Sequence, residues 1–567
     1  MGEEDRTQNS GLPTPLGSRE EREAFLAFVA EKLEKLRKLV VNEARARNME
    51  ELYIILDPWQ AIDPETKGSV LELIFWNFPA LAEEFDLRTT QRNLWTQENL
   101  GLLKEDDGAM QVAQRFLSYF IERWSQRWRV LIPAANLKDV SRPPVEVTPG
   151  ITVELRKIQN CERQYFAQHS CLQQLPGDET VFFVVDLQAG DETAAIRKAK
   201  RAIQQYLAPY YLHAIRSGQE EPWYGPKPDR VRLSPFVYLV GDIESRPFRV
   251  DVEQLRGDAP LLTQLVDDEW TSSVREIVSK WHRKDFKDDL ERHLVQATKW
   301  MFSAENEESD ENAYLKHSIA WEALFPKSKK HARLKLCLWL VVFALSKQDI
   351  WSLRTVSQAE RLRDRRNSLA HPEPNAGLTS TLQQDLRILK RALVSAVESA
   401  MTLRGLLLKQ ETPIPNWQCI LSRLFEILSN TGADFKPGSI SPQDRLLLET
   451  LGLCDGDGHL TGDGLAACVE AQIVRARLCW DDQKQSVRWL AHAFYVSMHR
   501  ELSNLPHPRL HAALWVKKRR DSCKDFAEFW ARSGIPRQAP SDLDLAELID
   551  DLQRDFGITS KAVGWRE

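Results

Sequence analysis

The run Leu336–Leu345, LCLWLVVFAL, is the longest apolar stretch in the chain. A helix needs about 20 apolar residues to cross a bilayer, and this run is about half that length. It therefore reads as a helix buried in a protein core, and no membrane partner is expected. At 567 residues the chain is too long for one core, and usual domain sizes point to roughly three or four domains. The segment Met1–Arg19 is polar and lacks an apolar h-region, so it does not read as a secretory leader. The eight cysteines are scattered and form no CxxC pair. Neither a structural zinc, another cofactor nor a disulfide framework is expected, and a reducing cytoplasm fits best. A net charge of -6 excludes a uniformly basic nucleic-acid wrapper. A local basic site on an acidic body stays open, because binding follows local potential.

The pattern along the chain predicts a mainly α, multidomain protein. Residues 1–18 read as a disordered tail. Residues 19–132 read as a helical N-terminal domain, in which Phe25, Phe28, Val29, Leu33 and Leu36 form one apolar face. Its helical pattern runs to about Trp128, and the texture changes near Pro133. Residues 133–255 read as an α+β domain, with strands at Ile151–Arg156, Thr180–Leu187, Pro235–Val240 and Phe248–Val252 and a helix over Glu192–Tyr211. No Gly-rich phosphate loop follows any of these strands, which argues against a dinucleotide fold or a P-loop. Residues 256–299 read as a helical connector that continues to near Phe302. An acidic loop at Glu305–Asn312 precedes helices at Ala313–Phe325, His331–Leu345, Ser357–Ala370 and Ser380 to about Leu408, a bundle spanning 300–410. Gln410–Pro415 reads as a linker. The Trp-rich remainder, 416–567, reads as a helical C-terminal domain. Within it, 440–480 has the pattern of a winged-helix element. Leu451-Gly452-Leu453 with Asp457-Gly458 echoes Leu100-Gly101-Leu102 with Asp107-Gly108, although such turn material recurs by chance.

One segment carries chemistry. In Arg361–Pro374, RLRDRRNSLAHPEP, Arg366 and His371 are separated by four residues. Pro372 disfavours helical geometry at His371, so the helix should end there. A helix C-terminus favours a protonated imidazole, and a pKa near about 6.5 lets histidine exchange protons around neutrality. Arg366 offers a permanently charged planar fork suited to phosphate. The plain alternative is a solvated arginine beside a histidine that caps the helix.

The segment Arg366-Asn367-Ser368-Leu369-Ala370-His371 resembles the signature of the HEPN superfamily of helical-bundle domains, many of them ribonucleases. Leu315–Phe325, with Glu322 set in an apolar face, resembles the family's early helix. The α+β region ahead of the bundle gives the chain the flavour of the Apea-like abortive-infection group. The likeness covers roughly 100 residues, counted on ordinary domain scales. It implies a HEPN-like central bundle acting as a metal-independent endoribonuclease on RNA, with Arg366 and His371 catalytic and Asn367 and Glu322 as supporting residues. It also implies pairing of two such bundles as a homodimer, and antiphage defence triggered by a phage-derived or nucleic-acid signal. Glu322 reads equally well as a structural partner of an arginine.

Lys327, Lys329, Lys330, Arg333 and Lys335 form a basic run that reads as an RNA track or as a solvated loop and helix start. Arg363 and Arg365 read as surface charges able to add phosphate contacts. Lys517–Arg520 is a second basic patch. Asp455-Gly456-Asp457-Gly458-His459 hints at a calcium loop, but the other ligand positions are missing and a hairpin turn is favoured. His507 and His511 lack a third ligand, and His492 and His499 read as core-edge residues. The rival function is a non-catalytic HEPN regulator that dimerises and binds nucleic acid. Ser441–Thr450, with a single arginine and no lysine, is a poor DNA-reading helix.

Overall fold

Most of the apolar periodicity becomes helix, and the alternating stretches become one sheet. The structure is a computed structural model. It describes residues 16–46, 64–94, 108–124, 126–138, 142–160, 180–217, 236–240, 247–252, 267–281, 286–305, 307, 309–326, 332–345, 353–370, 379–409, 416–431, 440–502, 508–532 and 554. The chain divides into two compact units, Met1–Pro209 with Pro222–Val266, and Tyr210–Glu221 with Asp267–Glu567. The segment read as 19–132 falls in the first unit, and so does 133–255 apart from Tyr210–Glu221. The bundle and the C-terminal region fall in the second.

The first unit opens with α1 (Arg19–Ala46), α2 (Pro64–Asn77), α3 (Pro79–Glu84), α4 (Leu87–Leu94) and α5 (Ala109–Trp124). The Ser18 hydroxyl accepts from the Glu21 amide at 3.0 Å, and the Glu21 carboxylate accepts from the Ser18 amide at 3.0 Å. This reciprocal cap fixes the start of α1. Of the expected tail, only Leu16–Ser18 are described, and Leu16 is buried in the core that Phe25, Val29 and Leu33 form with Ile74, Phe116 and Phe120. Leu36 is among the residues whose side chains lie outside the description.

The sheet follows. Its strands are β1 (Arg127–Lys138), β2 (Arg142–Thr148), β3 (Ile151–Lys157), β4 (Thr180–Gln188), β5 (Phe236–Val240) and β6 (Pro247–Val252). They lie in the order β2-β3-β4-β1-β5-β6, with antiparallel pairing throughout. Helix α6 (Glu192–Arg216) sets Tyr206 edge-on against Phe183 of β4. The helical pattern expected to run to about Trp128 gives way at Arg127 instead. Strand β1 lies between β4 and β5, and Val130, Leu131 and Ile132 are all buried. A strand covered on both sides loses the alternation that would reveal it. Strand β2, absent from the expected elements, carries Pro143 and Pro144, which only a sheet edge tolerates well; β2 is such an edge.

A tight junction joins the helices of this unit to its sheet. The Gly190 amide donates to the Glu84 carbonyl at 2.9 Å, and a Cβ on Gly190 would fall 2.0 Å from the Phe85 ring. Only glycine permits that approach. Asp191 accepts from the Asp86 amide at 2.7 Å and from the Ala194 amide at 2.8 Å, which caps α6. Burial pushes the Asp191 carboxyl up to about 6.

The second unit is helical. Its elements are α7 (Glu269–Val278), α8 (Asp289–Glu305), α9 (Asp310–Leu324), α10 (Ala332–Ala344), α11 (Val356–Ala370), α12 (Thr379–Lys409), α13 (Trp417–Asn430), α14 (Pro442–Thr450), α15 (Gly462–Leu478), α16 (Gln483–Ser497), α17 (His499–Leu502), α18 (Pro508–Asp521) and α19 (Phe526–Arg532). Every residue of the run Leu336–Leu345 is buried, because α11, α12 and α15 all pack on α10. Among the described residues no helix is long and apolar enough to cross a membrane. The acidic loop expected at Glu305–Asn312 is shorter than its composition implied. Helix α8 runs through Glu305, and Ser309 caps α9. Glu305 is held in the core by polar partners, with His317 Nε2 at 2.9 Å and Lys390 Nζ donating at 2.9 Å.

In the C-terminal region, residues 454–460 form the hairpin turn read from the sequence. A single bridge joins Cys454 to Leu460, and Asp455 Oδ1 accepts from the amides of Asp457 and His459 at 3.1 and 2.8 Å. Gly452 and Gly458 take positive φ angles of 69° and 84°. This turn lies between α14 and α15, whereas a wing follows its recognition helix. Among the described residues of 440–480 no two-stranded wing follows α15; α16 does. Residues 100–107, 410–415 and His507 lie outside the described residues.

Candidate active site

Helix α11 holds four arginines, and its neighbours decide what each can do. The buried stripe of α11 is Val356, Ala359 and Leu362. The Leu362 carbonyl accepts from the Tyr314 hydroxyl at 2.6 Å, which pins α11 to α9. Glu470 of α15, itself buried, accepts from the Val356 amide at 2.8 Å. An acid at that position satisfies an open amide at the helix start and complements the helix dipole. Arg477, two turns further along α15, donates to Glu360 at 2.7 Å. The C-terminal region thus holds α11 at its first turn.

Three of the four arginines meet a carboxylate. Arg363 lies 3.3 Å from Glu322 of α9, both side chains mostly covered. Arg361 and Arg365 share Asp385 of α12, at 3.1 and 3.3 Å, and Arg365 also donates to the Thr381 hydroxyl at 2.6 Å. These pairings join α11 to two neighbouring helices. Glu322 is thus an arginine partner, the structural role that its place in an apolar face allows.

Arg366 differs. It follows Ala359 and Leu362 along the same stripe and is half-buried. Its guanidinium donates to the side-chain oxygen of Asn367 at 3.3 Å. Among the described residues it meets no carboxylate. A half-buried cation in that condition is a ready anchor for an anionic oxygen. Helix α11 is described through Ala370, so His371 lies outside the described residues.

The basic run fares differently from its composition. Lys327, Lys329 and Lys330 lie outside the described residues. Arg333 pairs with Asp364 and, at 3.8 Å, with Glu360. The Lys335 ammonium sits 5.0 Å from the centre of the Phe425 ring. Both groups therefore tie α10 to its neighbours. Sequence reading missed Asp385, which holds Arg361 and Arg365, and Glu360 and Glu470, which tie α11 to α15. They are single acids far along the chain from their partners, and no local spacing flags them.

Compared with family models, with curated proteins and with solved structures, the chain matches none.

Proposed function

We propose that the central helical bundle is a HEPN-type endoribonuclease and that Arg366 and His371 are its catalytic pair. The observation that carries this reading is the company of Arg366: beside three arginines with carboxylate partners, it meets no carboxylate among the described residues. In this reaction the RNA 2′-oxygen attacks the adjacent phosphorus and the bond to the 5′-oxygen breaks. His371 moves a proton and Arg366 stabilises charge on the phosphate oxygens. Asn367, hydrogen-bonded to Arg366, orients it. Attack and departure take place on opposite sides of phosphorus, so two proton-transfer groups are needed. His371 of the partner subunit supplies the second in a two-fold dimer, the commonest association of identical chains. Arg363, Arg365 and Arg333 serve the scaffold. The resemblance places such an enzyme in antiphage defence, held in check until a trigger arrives, and the grip of α15 on α11 is a fitting restraint.

The test incubates the full-length protein with RNA in EDTA, beside Arg366→Ala, His371→Ala and Arg365→Ala. Wild type should leave 2′,3′-cyclic phosphate and 5′-hydroxyl ends. Arg366→Ala and His371→Ala should lose at least about 100-fold in rate, the usual scale for removing a general acid or base or an oxyanion partner. Equal cleavage by wild type and both variants would refute the assignment.

A further inference from the structure

The C-terminal region contains a concave surface between α16 and α18. It is a cleft of about 300 Å³ lined by Lys484, Arg488 and His492 of α16, by Arg509 of α18, and by Val487, Ala491, Tyr495 and Ala513. That volume lies at the lower end for small-ligand sites. The lining divides by chemistry. Lys484, Arg488 and Arg509 are exposed at the rim, His492 is half-buried, and Tyr495 and Ala491 are buried beneath. Among the described residues no carboxylate lines the cleft. Among the described residues neither Lys484 nor Arg488 meets an acid. Rings steady both arginines: Arg488 lies 5.0 Å from the centre of Trp489, and Arg509 lies 5.4 Å from that of Tyr495.

We propose that this cleft binds a nucleoside phosphate, with Lys484, Arg488 and Arg509 on the phosphate and the floor of Val487, Ala491 and Tyr495 under the nucleoside. Two cations from one face of α16 and a third from α18 around one opening attract an anion. An apolar, aromatic floor distinguishes a nucleotide from a bare phosphate, because bases gain from stacking and apolar contact. Burial and the adjacent charges of Arg509 and Arg488 depress the His492 pKa. The same chemistry arises from a free mononucleotide or from one nucleotide of an RNA strand. The site is separate from α11 and does not depend on the nuclease reading.

The experiment measures binding to the full-length protein by calorimetry. Three probes are used: AMP, a 2′-O-methyl RNA tetranucleotide that cannot be cleaved through its 2′-oxygen, and inorganic phosphate. Each is tested against wild type, the double variant Lys484→Ala/Arg488→Ala, and Arg445→Ala, an arginine already paired with Glu449. Both truncated side chains of the double variant are exposed, and circular dichroism checks that the fold is kept. Saturable binding of AMP, weakened at least tenfold in the double variant and unchanged in Arg445→Ala, establishes the site with a free nucleotide as source. The same pattern for the tetranucleotide alone establishes it with an RNA strand as source. The proposal is overturned if neither nucleotide probe binds, if the double variant binds as well as wild type, or if inorganic phosphate binds as tightly as the nucleotides.

Discussion

The arginines of α11 and the cations of the α16–α18 cleft are alike in sequence and unlike in company. On α11, Arg361, Arg363 and Arg365 are each met by an acid from a neighbouring helix. In the cleft, Lys484 and Arg488 are exposed, with no acid along the lining among the described residues. The first group fastens helices together; the second is available to a ligand. Arg366 belongs to the second kind although it stands among the first. Local charge density therefore predicts binding poorly. What matters is whether the folded chain has already supplied the counter-charge.

The largest effect should come from removing a shared acid. Asp385 is buried and serves both Arg361 and Arg365. Breaking a buried ion pair from one side typically costs about 3–5 kcal/mol, and Arg361 is exposed enough to find water. Asp385→Ala should therefore cost about 3 kcal/mol, read from denaturant unfolding of the full-length chain. A loss under about 1 kcal/mol would mean that these arginines are as loosely held as those of the cleft.

A buried carboxylate without such a partner should behave in the opposite way. Asp191 is capped by amides rather than cations, and its carboxyl is raised from 3.8 to about 6 by burial. The folded chain then holds that proton more tightly than the unfolded chain. The contribution to stability is fully present below about pH 4 and is lost as pH rises to about 6. Asp191→Asn removes this dependence. Relative to wild type, the variant should gain about 2 kcal/mol between pH 4 and pH 7. A stability difference that stays flat across that range would count against a raised Asp191.

An intermediate effect tests the restraint on α11. Glu470 is the acceptor for the Val356 amide, and losing a capping acceptor costs about 1 kcal/mol. Glu470→Ala should cost that much and Glu470→Gln, which keeps an oxygen, less. Hydrogen exchange at the first turn of α11 should rise in Glu470→Ala alone. Equal exchange in both variants and wild type would remove the C-terminal region from the account of α11.

These contacts also mark what the sequence makes legible. The apolar run Leu336–Leu345 and the strands at β3, β4, β5 and β6 were readable, because each depends on periodicity within a few residues. Strand β1 was not, since burial of consecutive positions erased its alternation. Glu470 meets Val356 across 114 residues of chain, and Gly190 meets Phe85 across a similar gap. No window of sequence contains both members of such a pair. The candidate site was legible only as the spacing of Arg366 and His371. That Arg366 is the arginine left open depends on where Asp385 and Glu322 fall in space.

The smallest expected effect is the most discriminating. If Arg366 is a cation kept for a ligand, the folded protein should scarcely need it. Among the described residues its hydrogen bond is to the adjacent Asn367 at 3.3 Å, a long contact that water can replace. Arg366→Ala should then change stability by no more than about 0.5 kcal/mol, the range for substitutions away from structural features. Arg365→Ala should cost about 1–2 kcal/mol, because it leaves buried Asp385 with Arg361 alone. Lys484→Ala and Arg488→Ala should group with Arg366. The measurement is a set of urea unfolding curves for the four variants at one pH and salt concentration. An Arg366→Ala penalty equal to that of Arg365→Ala would place Arg366 among the fastenings. The loss of cleavage in Arg366→Ala would then reflect a loosened fold rather than a missing phosphate anchor.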